Sequence, residues 1–248
     1  MNTMIFCTCW LGRVRGYVRW VKHHMQRFNS DNITFYIIDD GSPEHLLHEL
    51  LSKCEVSSKL ICLSSMDDFT LLKNLTEKLV IISIRPHLGR PGHTAYPGWW
   101  RSFLSSSLVA SLNNYEKIIH IESDFYVISK KMTDYLMSLT SGWHTAWCKR
   151  HKFIETGIQV ICKDALPSFE NFKEKNFSNW KPLCKRTAEG IIKDFSTVFD
   201  MSFVGDRLGE FKHDILGPID YYGQLTREND VFADEMLSTL KLRFLTFC

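Results

Sequence analysis

The sequence predicts an α/β fold: a mostly parallel, doubly wound central sheet flanked by helices, with a helical and loop segment toward the C-terminus. Three observations carry this. Strand-like apolar runs alternate with helical patterns through the first half of the chain, as a parallel sheet with crossover helices requires. Runs such as 33–38 and 78–85 are mostly apolar and rich in β-branched residues rather than alternating, the pattern of strands buried on both faces. Acidic residues, finally, stand at the ends of two strands, Asp39-Asp40 and Glu122-Ser123-Asp124, and sheets of this kind bind ligands beyond the carboxyl ends of their strands.

In chain order, residues 4–10 form an apolar first strand. Gly12 then turns the chain into a helix over 13–28, where Val14, Val18, Val21, Met25 and Phe28 recur at helical spacing. The opposite face carries Arg13, Arg15, Arg19, Lys22, His23 and His24. It reads either as a solvated basic face or as one that meets a diphosphate or an anionic surface, which admits peripheral membrane contact. The strand 33–38 ends in Asp39-Asp40-Gly41-Ser42-Pro43-Glu44, with Ser42 as N-cap and Pro43 at the first position of a helix over 45–53. Strands follow at 59–65 and 78–85, separated by a helix-like 67–78. A Gly-, Pro- and aromatic-rich loop over 87–101 leads into a long helix over 99–114. After the acidic triplet come a helix over 132–139 and strands at 144–149 and 153–162. The segment 167–195 is polar and basic with aromatic interruptions. A short helix opens at 232–237, and 241–247 reads as a last strand.

The length of 248 residues and the 44% hydrophobic content suit one domain with a sizeable core. Residues 1–130 would be its ligand-binding half and 131–248 its second half. No apolar stretch approaches the ~20 residues needed to cross a bilayer. The N-terminus lacks the charged-then-apolar order of a signal peptide. The expectation is a cytoplasmic protein, with the inner face of the membrane left open. The 8 cysteines are scattered without a CxxC pair and read as reduced core residues. A net charge of +2 neither requires nor excludes an anionic partner, and no nucleic-acid partner is expected.

The acidic triplet is the centre of the chemical argument. Glu122 and Asp124 are expected to share one face at the strand's C-terminal edge, since side chains alternate. Two carboxylates side by side repel unless a cation lies between them, and hard oxygen ligands suit Mg²⁺ or Mn²⁺ with places left for water and phosphates. An acidic turn after a strand would use the same letters.

Here the residues resemble a family. Apolar strand plus Asp39-Asp40-Gly41-Ser42 is similar to the first nucleotide-binding motif of GT-A glycosyltransferases, and Glu122-Ser123-Asp124 to their Asp-x-Asp motif. The order of the two motifs along the chain also agrees, although Glu stands where the first Asp is usual. The resemblance implies a GT-A-like, Rossmann-type fold, a nucleotide-sugar donor, a glycan acceptor and Mn²⁺ or Mg²⁺. It implies that Asp124, assisted by Glu122, holds the metal, and that Asp39, Asp40, Gly41 and Ser123 contact the donor. Arg90 and Arg101 are candidates for its phosphates, through the bidentate guanidinium fork. One of Trp99 and Trp100 belongs to the core; the other, for which Trp100 is the candidate, is open to stacking on a base or sugar. The run 153–162 loosely resembles a core-crossing strand of retaining members, with Glu155 at its mouth as a candidate to touch donor or acceptor. Asp234-Glu235 stands where inverting members keep a catalytic base, and equally suits an ordinary helix N-terminus.

Other classes find less support. Neither a P-loop nor a Gly-x-Gly-x-x-Gly after the first strand occurs, and no Gly-x-Ser-x-Gly elbow. Nucleotidyl transfer on the same fold would want a Gly-rich basic loop after the first strand, echoed only by Gly12-Arg13. A non-catalytic nucleotide-sugar-binding or assembly protein would keep the sheet without turnover. For the acceptor, Lys173, Lys175, Lys181 and Lys185 among Phe169, Phe172, Phe177 and Trp180 suit an acidic saccharide, if those rings are exposed. A surface polysaccharide or lipopolysaccharide precursor is the acceptor this favours. Aromatics packed on the sheet would serve equally well as structure.

Overall fold

The structure, a computed structural model, describes residues 1–11, 14–92, 95–149, 152–183, 186–199, 202–207 and 219–224. The elements in chain order are β1 (Thr3–Cys9), α1 (Arg15–Arg27), β2 (Ile33–Asp39), α2 (Glu44–Cys54), β3 (Ser58–Leu63), a 3₁₀ segment (Met66–Leu72) and β4 (Leu79–Ile84). Next come α3 (Pro97–Leu112), β5 (Lys117–Ile121), β6 (Tyr126–Val127), α4 (Lys130–Ser138), β7 (Trp143–Cys148), β8 (Phe153–Cys162) and a 3₁₀ turn (Lys163–Ala165). Then follow α5 (Leu166–Asn176), β9 (Phe177–Ser178), β10 (Lys181–Pro182), α6 (Ala188–Ile192), β11 (Thr197–Val198), β12 (Gly205–Arg207) and β13 (Tyr221–Gly223).

Eight strands make the central sheet, in the order β11-β7-β8-β5-β1-β2-β4-β3. All run parallel except β8, which is antiparallel to both its neighbours. Both faces are covered, which is why the strands read as unbroken apolar runs. Ile5, Cys7, Ile37, Ile81 and Ile119 pack with Trp20 and Val21 of α1, Leu47 and Leu50 of α2, and Met132 and Leu136 of α4. Their sequence neighbours Met4, Phe6, Tyr36, Ile38, Val80, Ile82 and Ile118 face Phe103 and Leu104 of α3 and Phe169 and Phe172 of α5.

From β1 the chain passes to β2 and on to β3 at the sheet edge, comes back to β4 between β2 and β3, and then crosses through α3 to β5 on the other side of β1. The order of winding thus reverses between β1 and β5, whose pairing runs from Thr3↔Lys117 to Phe6↔His120. A crevice opens at such a reversal, beyond the carboxyl ends of the two strands.

Several expectations are corrected. The strand leading to the acidic triplet ends at Ile121, and residues 122–125 form a turn closed by Phe125 N–H donating to the Glu122 carbonyl at 2.9 Å. Alternation along a strand therefore does not set how Glu122 and Asp124 are presented. Ser42 is not the cap of α2: its hydroxyl donates to Asp39 and accepts from Leu11 N–H, and Pro43 takes the capping position with no side-chain bond. The helix-like 67–78 contains one 3₁₀ segment only. The basic face of α1 is in part a packing face. His23 is 6% and His24 0% exposed, and Arg19 Nε donates to the Tyr126 hydroxyl at 2.9 Å. The segment 167–195 carries α5, the β9–β10 hairpin and α6, and its rings are not an exposed set. Phe169 and Phe172 are fully buried, and Phe177 packs on Trp100 with centroids 4.5 Å apart. The elements expected at 232–237 and 241–247 lie outside the described residues. No helix among the described residues is long and apolar enough to cross a membrane.

Candidate active site

A cavity of about 510 Å³ occupies the crevice between β1 and β5. It is lined by Thr8, Cys9 and Trp10 at the end of β1, Tyr17 of α1, and Asp40 after β2. His87, Gly89, Arg90, Tyr96 and Trp99 follow from the loop after β4 and the start of α3, and Glu122, Ser123 and Asp124 from the turn after β5. Apart from Tyr17 on α1 and Tyr96 and Trp99 at the start of α3, these residues arrive there because their strands end at the same edge of the sheet, whatever the distance along the sequence.

The acidic turn is fastened from two sides. Trp20 Nε1–H donates to the Glu122 carbonyl at 3.0 Å, and Glu122 N–H donates to the Gly157 carbonyl of β8 at 2.8 Å. Gly157 can bear no side chain here, because a Cβ would lie 2.6 Å from the Phe125 ring. Tyr17 and Ser123 line the cavity together, close enough for the Tyr17 hydroxyl to interact with the Ser123 side chain. Burial, then the Asp124 and Asp39 carboxylates, push the Cys7 thiol behind this turn well above its ordinary range.

Asp39 and Asp40, adjacent in sequence, have different surroundings. Asp39 is fully buried; it accepts from Ser42 N–H (2.8 Å), Ser42 Oγ (2.5 Å), Ser83 Oγ (2.7 Å) and Cys9 Sγ (3.2 Å). Four donors from three segments make it a brace between the ends of β1, β2 and β4. Asp40 lies at the cavity wall, 3% exposed. It meets Arg101 Nη2 at 2.5 Å, His87 Nδ1 at 2.8 Å and Gly89 N–H at 2.8 Å. Burial lowers the Arg101 guanidinium from its ordinary value, and the Asp40 charge opposes that shift. Arg101 also donates to the carbonyls of Ile84 (2.6 Å) and Pro86 (2.8 Å). Gly41, at φ 73°, approaches the backbone of His87 so closely that a Cβ would lie 2.9 Å from its nitrogen.

Against the residues singled out in the sequence, Asp40, Arg90, Ser123, Glu122 and Asp124 come together in one cavity, whereas Asp39 and Arg101 are buried braces behind its wall. Trp100 is 1% exposed and packs on Phe103, Phe172 and Phe177; its neighbour Trp99 lines the cavity. Glu155 is 1% exposed on β8 opposite Ala146, beside an irregularity in the β7–β8 register, and is not among the lining residues. Asp234 and Glu235 lie outside the described residues, as do Gly12, Arg13 and Lys185. Sequence reasoning missed Thr8, Trp10, Tyr17, His87 and Tyr96. Position at the carboxyl end of β1 could have marked Thr8 and Trp10; nothing local marks Tyr17 or His87.

No group of three or more His, Cys, Asp and Glu side chains able to hold a metal occurs among the described residues. Glu122 and Asp124 nonetheless fit Mg²⁺ or Mn²⁺, which are commonly bound by one or two carboxylates together with water and substrate phosphates. They do not make a closed protein cage.

The architecture matches solved glycosyltransferases. An active-site mutant of LgtC aligns with a TM-score of 0.56 at 11% identity, covering 96% of this chain and 95% of that one. The galactosyltransferase LgtC in complex with donor and acceptor sugar analogs gives 0.54 at 9% identity, covering 96% and 94%. A glycosyltransferase involved in glycosylation of the major capsid of PBCV-1 gives 0.50 at 13% identity, covering 96% and 100%. The chain has the GT-A fold. No protein-family model and no curated protein matches the sequence. The GT-A likeness thus rests on strand order and winding, and the acidic turn of this chain falls at the reversal point of that GT-A sheet.

Proposed function

We propose that this GT-A chain is a nucleotide-sugar-dependent glycosyltransferase that moves a sugar from a nucleoside-diphosphate donor to a glycan-type acceptor. The observation that carries the reading is the convergence of Glu122, Ser123 and Asp124 with Trp10, Asp40, His87 and Arg90 in one cavity at the β1–β5 reversal point. Carboxylates at one end and aromatic and basic groups at the other suit a ligand with a diphosphate in its middle.

Glu122 and Asp124 would hold Mn²⁺ or Mg²⁺ against the donor diphosphate. When bound, such an ion neutralises the charge that grows on the leaving diphosphate as the glycosidic bond breaks. The chain's own residues position the donor. The acidic turn is held from α1 and β8, so its carboxylates need little reorganisation, and preorganised charge is where most electrostatic catalysis originates. Arg90, exposed and stacked on Tyr96 at 4.5 Å, can reach a phosphate oxygen. Asp40, saturated by Arg101 and the loop amides, shapes the wall. Asp234 and Glu235 remain candidates for acceptor deprotonation. A surface polysaccharide or lipopolysaccharide precursor is the favoured acceptor class, on the strength of the basic side chains Lys173, Lys175, Lys181 and Lys185.

The test is incubation with a panel of sugar nucleotides and Mn²⁺. Release of nucleoside diphosphate is expected; release of pyrophosphate would assign nucleotidyl transfer, and binding without any turnover would assign a sugar-nucleotide-binding protein.

A further inference from the structure

Resting on that reading of the cavity, we propose that His87 selects the nucleobase of the donor: its Nε2 accepts a hydrogen bond from a ring N–H of the kind uracil, thymine and guanine carry, with Trp10 stacked over the pair.

The ring is held in one tautomer. His87 Nδ1 lies 2.8 Å from Asp40 Oδ2 and 2.7 Å from the Asp40 main-chain carbonyl. Both are acceptors, so Nδ1 carries the hydrogen and Nε2 of the neutral ring keeps its lone pair. Asp40 already has Arg101 as its counter-charge at 2.5 Å, so it fixes the imidazole without requiring a second cation. Among the described residues nothing hydrogen-bonds Nε2.

On the Gly89 side no side chain crowds Nε2. Gly89 has φ +64°, and a Cβ there would stand 2.9 Å from Nε2. A ligand atom can therefore approach where a side chain would otherwise stand. His87 and Gly89 both line the cavity, and 39% of the His87 side chain is exposed.

A planar ligand suits this place better than a hydroxyl. Trp10, 50% exposed, lies over the imidazole with centroids 5.0 Å apart and planes 26° apart. A heterocycle hydrogen-bonded edge-on to Nε2 continues the imidazole plane, and the exposed indole beside it offers a face for a stacking contact. The strand order agrees. The acidic turn follows β5, whereas His87 follows β4, on the far side of β1 and β2. With the diphosphate at the acidic turn, the opposite end of the nucleotide falls at His87. Cytosine and adenine present a bare ring nitrogen on the corresponding edge, lone pair against lone pair, and a site built to receive a hydrogen bond rejects a partner that lacks it.

The experiment is calorimetric titration, with Mn²⁺ present, of UDP, GDP, CDP and ADP into the native protein, His87→Phe and Gly89→Ala. Phe keeps a ring under Trp10 but no acceptor; Ala leaves the acceptor and fills the space before it. UDP or GDP should bind the native protein at least about tenfold more tightly than CDP and ADP, as one buried hydrogen bond made or refused would give. That preference should collapse in both variants. A native preference for CDP or ADP, no preference at all, or a preference unchanged in His87→Phe overturns the assignment to His87 while leaving the cavity a nucleotide site. If no nucleoside diphosphate binds the native protein with or without Mn²⁺, the nucleotide-sugar reading falls, and this inference with it.

Discussion

Arg101 Nη2 lies 2.5 Å from Asp40 Oδ1 behind the cavity wall, and each side chain is only 4% exposed. The pair divides labour between the two aspartates that end β2. Asp39 ties three strand ends together, and Asp40 ties the loop after β4, with its His87, Gly89 and Arg90, to the start of α3. Gly98 lets α3 approach this pair, since a Cβ there would come within 2.1 Å of Asp40 Oδ2.

Removing one partner of a buried pair strands the other charge, at a cost of about 3–5 kcal/mol. Arg101→Met and Asp40→Asn should each lower stability by that order in urea denaturation. The double variant should lose clearly less than the sum, because no uncompensated charge remains. Strict additivity would mean that the two side chains do not act as a unit.

Binding of a nucleoside diphosphate should tighten when Mn²⁺ or Mg²⁺ is added, and Asp124→Ala should remove that gain. The expected size is on the order of tenfold or more, since a divalent ion held by Glu122 and Asp124 would offset the repulsion between the diphosphate and the acidic turn. Equal affinity with and without the ion in the native protein would reject the metal-holding role of Glu122 and Asp124.

Stability should fall with acid from a specific source. His120 is fully buried among Phe6, Trp99 and Phe103. Neither ring nitrogen has a hydrogen bond of good geometry, the backbone of Thr156 being the polar group that comes into range. Burial pushes its pKa down to about 3, against about 6.5 in the unfolded chain. Between those values the unfolded state binds more protons. This contribution is therefore fully present above about pH 6.5 and is lost as pH falls, by up to about 1.4 kcal/mol per unit. Burial lowers His24 in the same direction. His120→Leu should lose less stability than the native protein between pH 7 and pH 5; identical losses would place the acid sensitivity elsewhere.

The adjacent tryptophans should separate cleanly. Trp100→Ala empties a fully enclosed site among Phe103, Phe172 and Phe177 and should cost about 3–5 kcal/mol. Trp99→Ala removes a cavity wall and should weaken nucleotide-sugar binding at a smaller cost in stability. The reverse pattern, read by thermal unfolding and by binding, would exchange their roles.

The parallel core was legible because strands buried on both faces are predominantly apolar along their length, and β1, β2, β4 and β5 announce themselves that way. The two acidic motifs were legible for a related reason: charge at the end of such a run has nowhere to go but the sheet edge. What single residues do there was not. Asp39 and Asp40 are adjacent and chemically identical, and only the positions of Ser42, Ser83 and Cys9 on one side and Arg101 and His87 on the other make them different braces. Trp99 and Trp100 have the same composition and nearly the same place, but on a helix successive residues point about 100° apart, so one meets the cavity and the other the core. The turn at 122–125 and the burial of Phe169 and Phe172 depend on partners far along the chain. Local pattern determined which segments form the sheet; which side chains face the cavity was decided by contacts between residues distant in sequence, and those exist only once the chain has folded.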